Sequence, residues 1–480
     1  MVFSSTLFLF IFLPIALGGH LLLPRQLRNL WLLLISLLFY AWGEPQLVWV
    51  MLGTILTNYA FGLWIGKLRG TPAAKWALAV AVTVDLSVLA AFKYAGFAAT
   101  SVNSLSHIIG LPPLPIPEWV MPLGISFFTF HAMSYVIDVY RGDAEPQKNL
   151  ADLALYVTLF PQLVAGPILR YHEVAWQFLG RRMSVAGAAY GAQRFLVGLG
   201  KKVLIANTLA VPADRIFALP ADQLGFATSW LGIVCYTGQI YFDFSGYSDM
   251  AIGLGHLLGF RFPENFRWPY ASQSIREFWR RWHISLSNWF RDYLYIPLGG
   301  NRCSEWRNKL NLLIVFFLCG LWHGASWAFI AWGLYHGAFL ALERTSWGKW
   351  MDAAPRPLRH FYTMLVVTLG WVPFRAATLT QAGVYVKAMA GLGGPPEIWP
   401  ILQFLTLDVG VMLTLAVLGA APLVPWVGEK LESFGKSGDF GLLVRHASAL
   451  VAIAAMMAVL WASSVMLAAS THNPFIYFRF

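Results

Sequence analysis

Long apolar runs recur along this chain, near 2–23, 30–66, 76–99, 119–140, 150–169, 185–210, 226–260, 310–342, 358–374, 400–427 and 447–470. One helix needs ~20 such residues to cross the ~30 Å hydrocarbon core of a bilayer. The run at 30–66 is too long for one crossing and contains Gly43-Glu44-Pro45, which predicts two helices joined by a tight turn. Only helices and closed barrels satisfy every backbone group inside lipid. The pattern therefore predicts an all-α polytopic membrane protein with roughly ten to twelve crossings.

Composition excludes the alternatives. Charged residues are 12% of the chain and apolar residues 58%, with a mean hydropathy of +0.59. A soluble domain carries about 25% charged residues. A soluble enzyme, a disordered chain, a disulfide scaffold and a coiled coil are all excluded. The formal charge of +11 points to cytoplasmic loops and anionic lipid rather than to nucleic acid. Cys235, Cys303 and Cys319 form neither a disulfide framework nor a metal-binding CxxC. The first run starts at Val2 with no basic residue before it and no small-residue cleavage site, and reads as a retained helix. Arg25 and Arg28, then Lys67, Arg69 and Lys75, mark two cytoplasmic loops and put the N-terminus outside. No repeat or fused soluble domain interrupts residues 1–480, which read as one membrane-embedded domain.

Two segments depart from simple spans. Residues 150–169 are apolar but flanked by basic residues on both sides, and Pro161, Gly166 and Pro167 break them. This predicts a re-entrant element, tolerated only where protein buries it or water reaches it. Residues 261–310 hold nine Lys+Arg against four Asp+Glu. Within them Trp279, Trp282, His283, Leu286, Trp289 and Phe290 recur at helical spacing, with Arg276, Arg280, Ser287 and Arg291 opposite. That predicts one amphipathic helix in the cytoplasmic interface, for which a plain membrane anchor is the simpler role.

Polar residues inside apolar runs are candidates for chemistry. His323 lies in Cys319-Gly320-Leu321-Trp322-His323-Gly324, where the glycines would leave room for a ligand. His336 lies thirteen residues on, nearly opposite on a continuous helix, so the two converge only if the segment breaks. A lone membrane histidine can equally serve an interhelical hydrogen bond, and His131 is read that way. His283 stands where a mere anchor would carry Leu or Phe. Imidazole takes and returns a proton near neutral pH. Two histidines from separate segments could serve one acyl transfer, one deprotonating a hydroxyl and the other orienting the thioester. Asp243 and Asp249 could bind a substrate, or pair with Arg in a structural network. Cys319 is one turn from His323, the spacing of a dyad, although a buried Cys is more often a filler. There is no P-loop, GxSxG or HExxH, and no metal site is expected.

At these residues the chain resembles a family. Its blocks are Pro122-Leu123-Gly124-Ile125-Ser126-Phe127, Ile137-Asp138-Val139-Tyr140-Arg141-Gly142 and Val164-Ala165-Gly166-Pro167. More specific are Tyr241-Phe242-Asp243-Phe244-Ser245-Gly246-Tyr247-Ser248-Asp249, Glu277-Phe278-Trp279-Arg280-Arg281-Trp282-His283-Ile284-Ser285-Leu286 and Leu321-Trp322-His323-Gly324. With Met1-Val2-Phe3-Ser4-Ser5 and Phe475-Ile476-Tyr477-Phe478-Arg479-Phe480 at the ends, the sequence resembles membrane-bound O-acyltransferases, most closely those of bacterial alginate O-acetylation. The match is loosest at 375–470.

The resemblance implies about eleven helices around a funnel, with His323 as the essential histidine and His283 as the second functional one. It implies a multi-pass protein of the bacterial inner membrane that O-acetylates an exopolysaccharide such as alginate or cellulose, or peptidoglycan, with a periplasmic SGNH-type partner. No permanently bound cofactor is expected. The expected donor is acetyl-CoA, its phosphates on Arg276, Arg280 or Arg281 through charge-assisted hydrogen bonds. The rival reading is a transporter of an acetylated intermediate. Transporters usually carry paired broken helices, and only one such element, at 150–169, is legible.

Overall fold

The computed structural model describes residues 2–394, 401–434 and 438–469. Met1 and the block Phe475–Phe480 lie outside the described residues. Among the described residues every regular element is helical. Four helices among the described residues are long and apolar enough by themselves to cross a bilayer: Val48–Leu68, Pro72–Ile108, Val185–Phe217 and Leu443–Ala469. Shorter apolar helices occupy Phe8–Leu22, Trp327–Leu342 and Leu407–Gly419. The expected turn at Gly43-Glu44-Pro45 separates helices Arg28–Gly43 and Val48–Leu68.

The centre of the molecule is helix Phe226–Leu257, buried along most of its length. It packs on helix Val185–Gly200 so closely that a Cβ on Gly198 would lie 2.5 Å from the Gly246 carbonyl oxygen. Small residues bring helix backbones together where lipid supplies no hydrophobic drive. Phe3 stacks on Tyr247 with ring centroids 4.5 Å apart, so the N-terminal segment is sewn into the same core.

Residues 150–169 form helix Leu150–Thr158, one further turn Phe160–Leu163 and an extended stretch. Nine residues rise only ~14 Å, about half a bilayer core. The break comes at Leu159, ahead of Pro161. Backbone N–H groups released by it find side chains: Phe160 donates to Ser36 Oγ (3.1 Å), Ile168 to Ser285 Oγ (3.0 Å) and Leu169 to His131 Nε2 (3.3 Å). The element is buried, and its neighbours satisfy these groups, as non-helical backbone inside a membrane protein requires. His131 thus has the structural use expected of it.

The expected amphipathic helix at 276–291 is corrected. The segment is two short helices, Ile275–Arg281 and Ile284–Phe290, broken at Trp282 and His283. His283 adopts φ +45°, a left-handed conformation that costs a non-glycine residue energy. Asn265 holds it there: its carbonyl accepts from Ile284 N–H (2.9 Å) and its side-chain Oδ1 from Ser285 N–H (3.1 Å). The aromatic residues face protein, not lipid. Trp289 stacks on Phe130 at 3.7 Å, and Trp282 lies 4.9 Å from Trp371.

Candidate active site

His323 is the last residue of helix Glu305–His323, and Gly324 leaves the helix in extended conformation. Helix Trp327–Leu342 starts three residues later, capped by Ser326 on Phe329 N–H. This break lets both histidines of the segment approach one residue. The rings of His323 and His336 pack on Trp332 at 5.0 and 5.3 Å. His323 also touches Trp322 (4.9 Å) and Phe374 (5.2 Å), and is buried. His336 is enclosed behind Trp332 and Trp279.

The flanking glycines serve close helix contact, and Gly324 also lines a cavity of about 540 Å³. A Cβ on Gly320 would lie 2.4 Å from the Phe329 carbonyl oxygen, and one on Gly333 2.2 Å from that of Phe316. A Cβ on Gly324 would meet the Phe329 ring at 2.3 Å. They let the two helices of the hairpin touch. Cys319 is buried one turn before His323.

His283 reaches the same place from the broken helix pair. Its ring lies 6.0 Å from that of Trp322 and edge-on to Phe244 at 4.6 Å. Nδ1 is 3.2 Å from Asn265 Oδ1. That oxygen also accepts from Ser285 N–H, which can only donate, so the amide orientation is determined. Neutral His283 therefore carries its proton on Nδ1, and Nε2 presents a lone pair. Nε2 makes no hydrogen bond with a described residue. His283 and His323 thus meet across one ring, that of Trp322, at 6.0 and 4.9 Å. A cavity of about 200 Å³ opens beside His323, lined in part by Glu44, Lys93, Gly124, Ser126, Trp322 and His323.

The basic triplet is exposed unevenly. Arg280 is exposed and makes no ion pair among the described residues. Arg276 is about half exposed, with Asp352 3.9 Å away. Arg281 is held by Glu277 at 2.6 Å. Asp243 and Asp249 lie elsewhere: Asp243 pairs with Lys202 at 2.6 Å, and Asp249 with Arg194 (2.8 Å) and Lys201 (2.7 Å). The sequence reading missed Lys93 and Asn265. Lys93 carried a signal, a lone cation inside the apolar run 76–99. Asn265 carried none, because only folding brings it to His283.

Residues 118–372 match the membrane-bound O-acyltransferase family. The chain belongs to that family. It is 44% identical to the probable alginate O-acetylase of Azotobacter vinelandii, with both chains covered in full. It is 50% identical to the probable alginate O-acetylase of Pseudomonas aeruginosa, over 82% of this chain and 75% of that one. The peptidoglycan O-acetyltransferase of Helicobacter pylori is 37% identical over 82% and 80%. This membrane-bound O-acyltransferase is thus a multi-pass membrane enzyme that transfers acyl groups.

Proposed function

We propose that this enzyme takes acetyl from a cytoplasmic donor, acetyl-CoA, and passes it across the bacterial inner membrane for O-acetylation of an exopolysaccharide such as alginate or cellulose. The observation that carries the reading is the meeting of His283 and His323 around Trp322. His283 comes from a basic segment with exposed Arg276 and Arg280, and His323 lines a cavity bounded by Glu44 and Gly124. By the basic-loop rule Arg25, Arg28, Lys67 and Arg69 are cytoplasmic, which puts Glu44 and Gly124 on the outer side. Donor and acceptor would then approach the histidines from opposite faces, in a chain of about eleven crossings.

In this mechanism one histidine removes the proton of the acceptor hydroxyl as its oxygen attacks the thioester carbon. The other orients the thioester. Such acid–base help is worth ~10²–10⁴ in rate. Arg276 and Arg280 would meet the donor phosphates, with Arg281 joining them by leaving Glu277. A periplasmic SGNH-type protein is the proposed relay. Resemblance to a peptidoglycan O-acetyltransferase supports a second acceptor for the same chemistry.

The test is purified protein with radiolabelled acetyl-CoA, with and without periplasmic extract. Loss of label from CoA to an acceptor supports the enzyme. Passage of an intact acetylated compound, with no acetyl released from CoA, would make the protein a carrier. Cysteine labelling adds the topology: sites at 67–75 and near Arg302 should react from the cytoplasm, and a site near Pro113 from outside. Labelling at 302 from the periplasm would sink donor docking at the basic segment.

A further inference from the structure

Lys93 lines the same cavity as His323, and the mechanism above leaves it unused. It belongs to the long helix Pro72–Ile108 and is nine-tenths buried. A buried charge deep in a membrane protein normally has an opposite charge beside it. Lys93 has no carboxylate within ion-pair distance among the described residues. Its Nζ donates instead to Ser126 Oγ (3.1 Å) and to the carbonyl of Trp322, the residue before His323. Those bonds use two N–H groups of an ammonium, which has three.

Its position is specific. Lys93 lines the 200 Å³ cavity together with His323. It also lines an adjoining cavity of about 540 Å³ that includes Gly324, Ser326, Phe374 and Arg375. Glu44 is the single acid in the lining of the first, and the second has none among the described residues. Arg375 is already engaged with Asp214 at 2.6 Å.

We propose that Lys93 is a further catalytic residue, whose ammonium stabilises the negative charge developing on the thioester carbonyl oxygen. This rests on the acetyl-transfer reading. The acceptor hydroxyl oxygen bonds to the acetyl carbon while its proton passes to a histidine ring nitrogen. The carbonyl π electrons move onto oxygen, beside Lys93 Nζ. The oxyanion then re-forms the carbonyl, the C–S bond breaks, and the CoA thiolate takes the proton back. Charge placed in advance where an oxyanion forms, away from water, is among the largest contributions to such reactions.

A competing use is purely structural. Tyr94 donates to the Leu321 carbonyl at 2.8 Å while Lys93 donates to that of Trp322, so together they cap the helix that ends in His323. The two uses separate in binding. The probes are acetyl-CoA and CoA bearing a methylphosphonyl group in place of acetyl, which is tetrahedral and anionic at the reacting position. Lys93→Gln keeps an N–H donor and loses the charge, whereas Lys93→Arg keeps the charge.

For full-length Lys93→Gln we expect acetyl-CoA affinity within about threefold of wild type. Phosphonyl-CoA affinity should fall about 10²–10³-fold and kcat by a similar factor, with KM little changed. Lys93→Arg should retain most of the phosphonyl-CoA affinity. Lys93→Gln binding both probes as wild type does, or weakened equally for both, would overturn the proposal and leave Lys93 as a helix cap. If the wild-type protein transfers acetyl normally, that result removes Lys93 alone. Wild-type protein that neither binds nor consumes acetyl-CoA removes the acetyl-transfer reading, and this inference with it.

Discussion

Two polar regions lie buried in this membrane protein, and they are built on opposite terms. Between helices Val185–Gly200 and Phe226–Leu257, with the turn that follows the first, the charges answer one another. Asp243 meets Lys202 at 2.6 Å, and Asp249 lies between Arg194 and Lys201. Arg194 also reaches Glu264 at 2.5 Å. Around the histidines the opposite holds. His283 Nε2, the indole nitrogens of Trp322 and Trp332, and both ring nitrogens of His336 make no hydrogen bond with a described residue. A buried polar group without a partner costs ~1–3 kcal/mol. The seam's charges are spent on one another, although Ser245 Oγ and Ser248 Oγ on the same helix make no hydrogen bond with a described residue, whereas the histidine region leaves its imidazole and indole nitrogens open to a visiting molecule. Pairing of charge against charge, more than polarity, separates scaffold from candidate site.

The largest expected effect tests that contrast directly. His323→Ala should reduce acetyl transfer by ~10²–10⁴ or to background while the protein still inserts and accumulates. His283→Ala should cost nearly as much, and the double variant little more, because groups sharing one transition state are strongly non-additive. His283→Leu with near wild-type transfer would remove His283 from the mechanism. Parallel loss of activity and of inserted protein would make the histidine region structural too, and erase the distinction.

The seam should behave in the reverse way. Lys202→Met strands the buried Asp243, and breaking a buried pair costs ~3–5 kcal/mol. Folded yield and thermal midpoint in detergent should drop, while activity per folded molecule stays near wild type. Lys202→Met with Asp243→Leu should recover most of the loss. A double variant that folds well but transfers no acetyl would move the acids into the chemistry.

Much of this was legible beforehand because bilayer physics writes itself into sequence. Apolar runs gave the helical class, Gly43-Glu44-Pro45 its turn, and Pro161 the break in the buried element at 150–169. His323 and His283 stood out as polar residues among apolar ones, and the family resemblance named them. Residues 276–291 were misread because periodicity reports which residues are buried, not whether the helix continues. The break at His283 is imposed by Asn265, eighteen positions earlier, and no local signal encodes it. The glycines around Trp322 and His323 were legible only in part for a related reason, since a partner helix and a cavity both call for a missing Cβ.

A smaller effect concerns charge at the surface. Arg276→Gln with Arg280→Gln should raise KM for acetyl-CoA about tenfold and leave kcat unchanged, the size of one charge-assisted hydrogen bond in partly screened surroundings. Arg281→Gln should do less, because Arg281 is already committed to Glu277. The difference should shrink as salt is added. An Arg281 effect larger than that of the pair would make Arg281, not Arg276 and Arg280, the main contact of the donor phosphates.

The smallest effect uses a histidine built like the seam. His172, in helix Tyr171–Gly180 beside the basic loop, has Nδ1 2.9 Å from Asp138 Oδ2, and Asp138 also accepts from Tyr293 Oη at 2.7 Å. The hydrogen bond to Asp138 holds its pKa above the usual histidine value, against the opposing effect of burial. A raised folded-state pKa fixes the sign. The stabilisation is complete below the unfolded value, ~6.5, and is lost as pH rises through the folded value. The side chain is 30% exposed, so the contribution should be ~1 kcal/mol or less. Thermal midpoints between pH 6 and 8.5 should therefore decline slightly more for wild type than for His172→Gln, with acetyl transfer equal in the two at each pH. A decline in stability identical in both proteins would show that the Asp138 pair contributes nothing. A transfer defect in His172→Gln would show that a satisfied histidine can still belong to the site, and the contrast between the two regions would fail at that point.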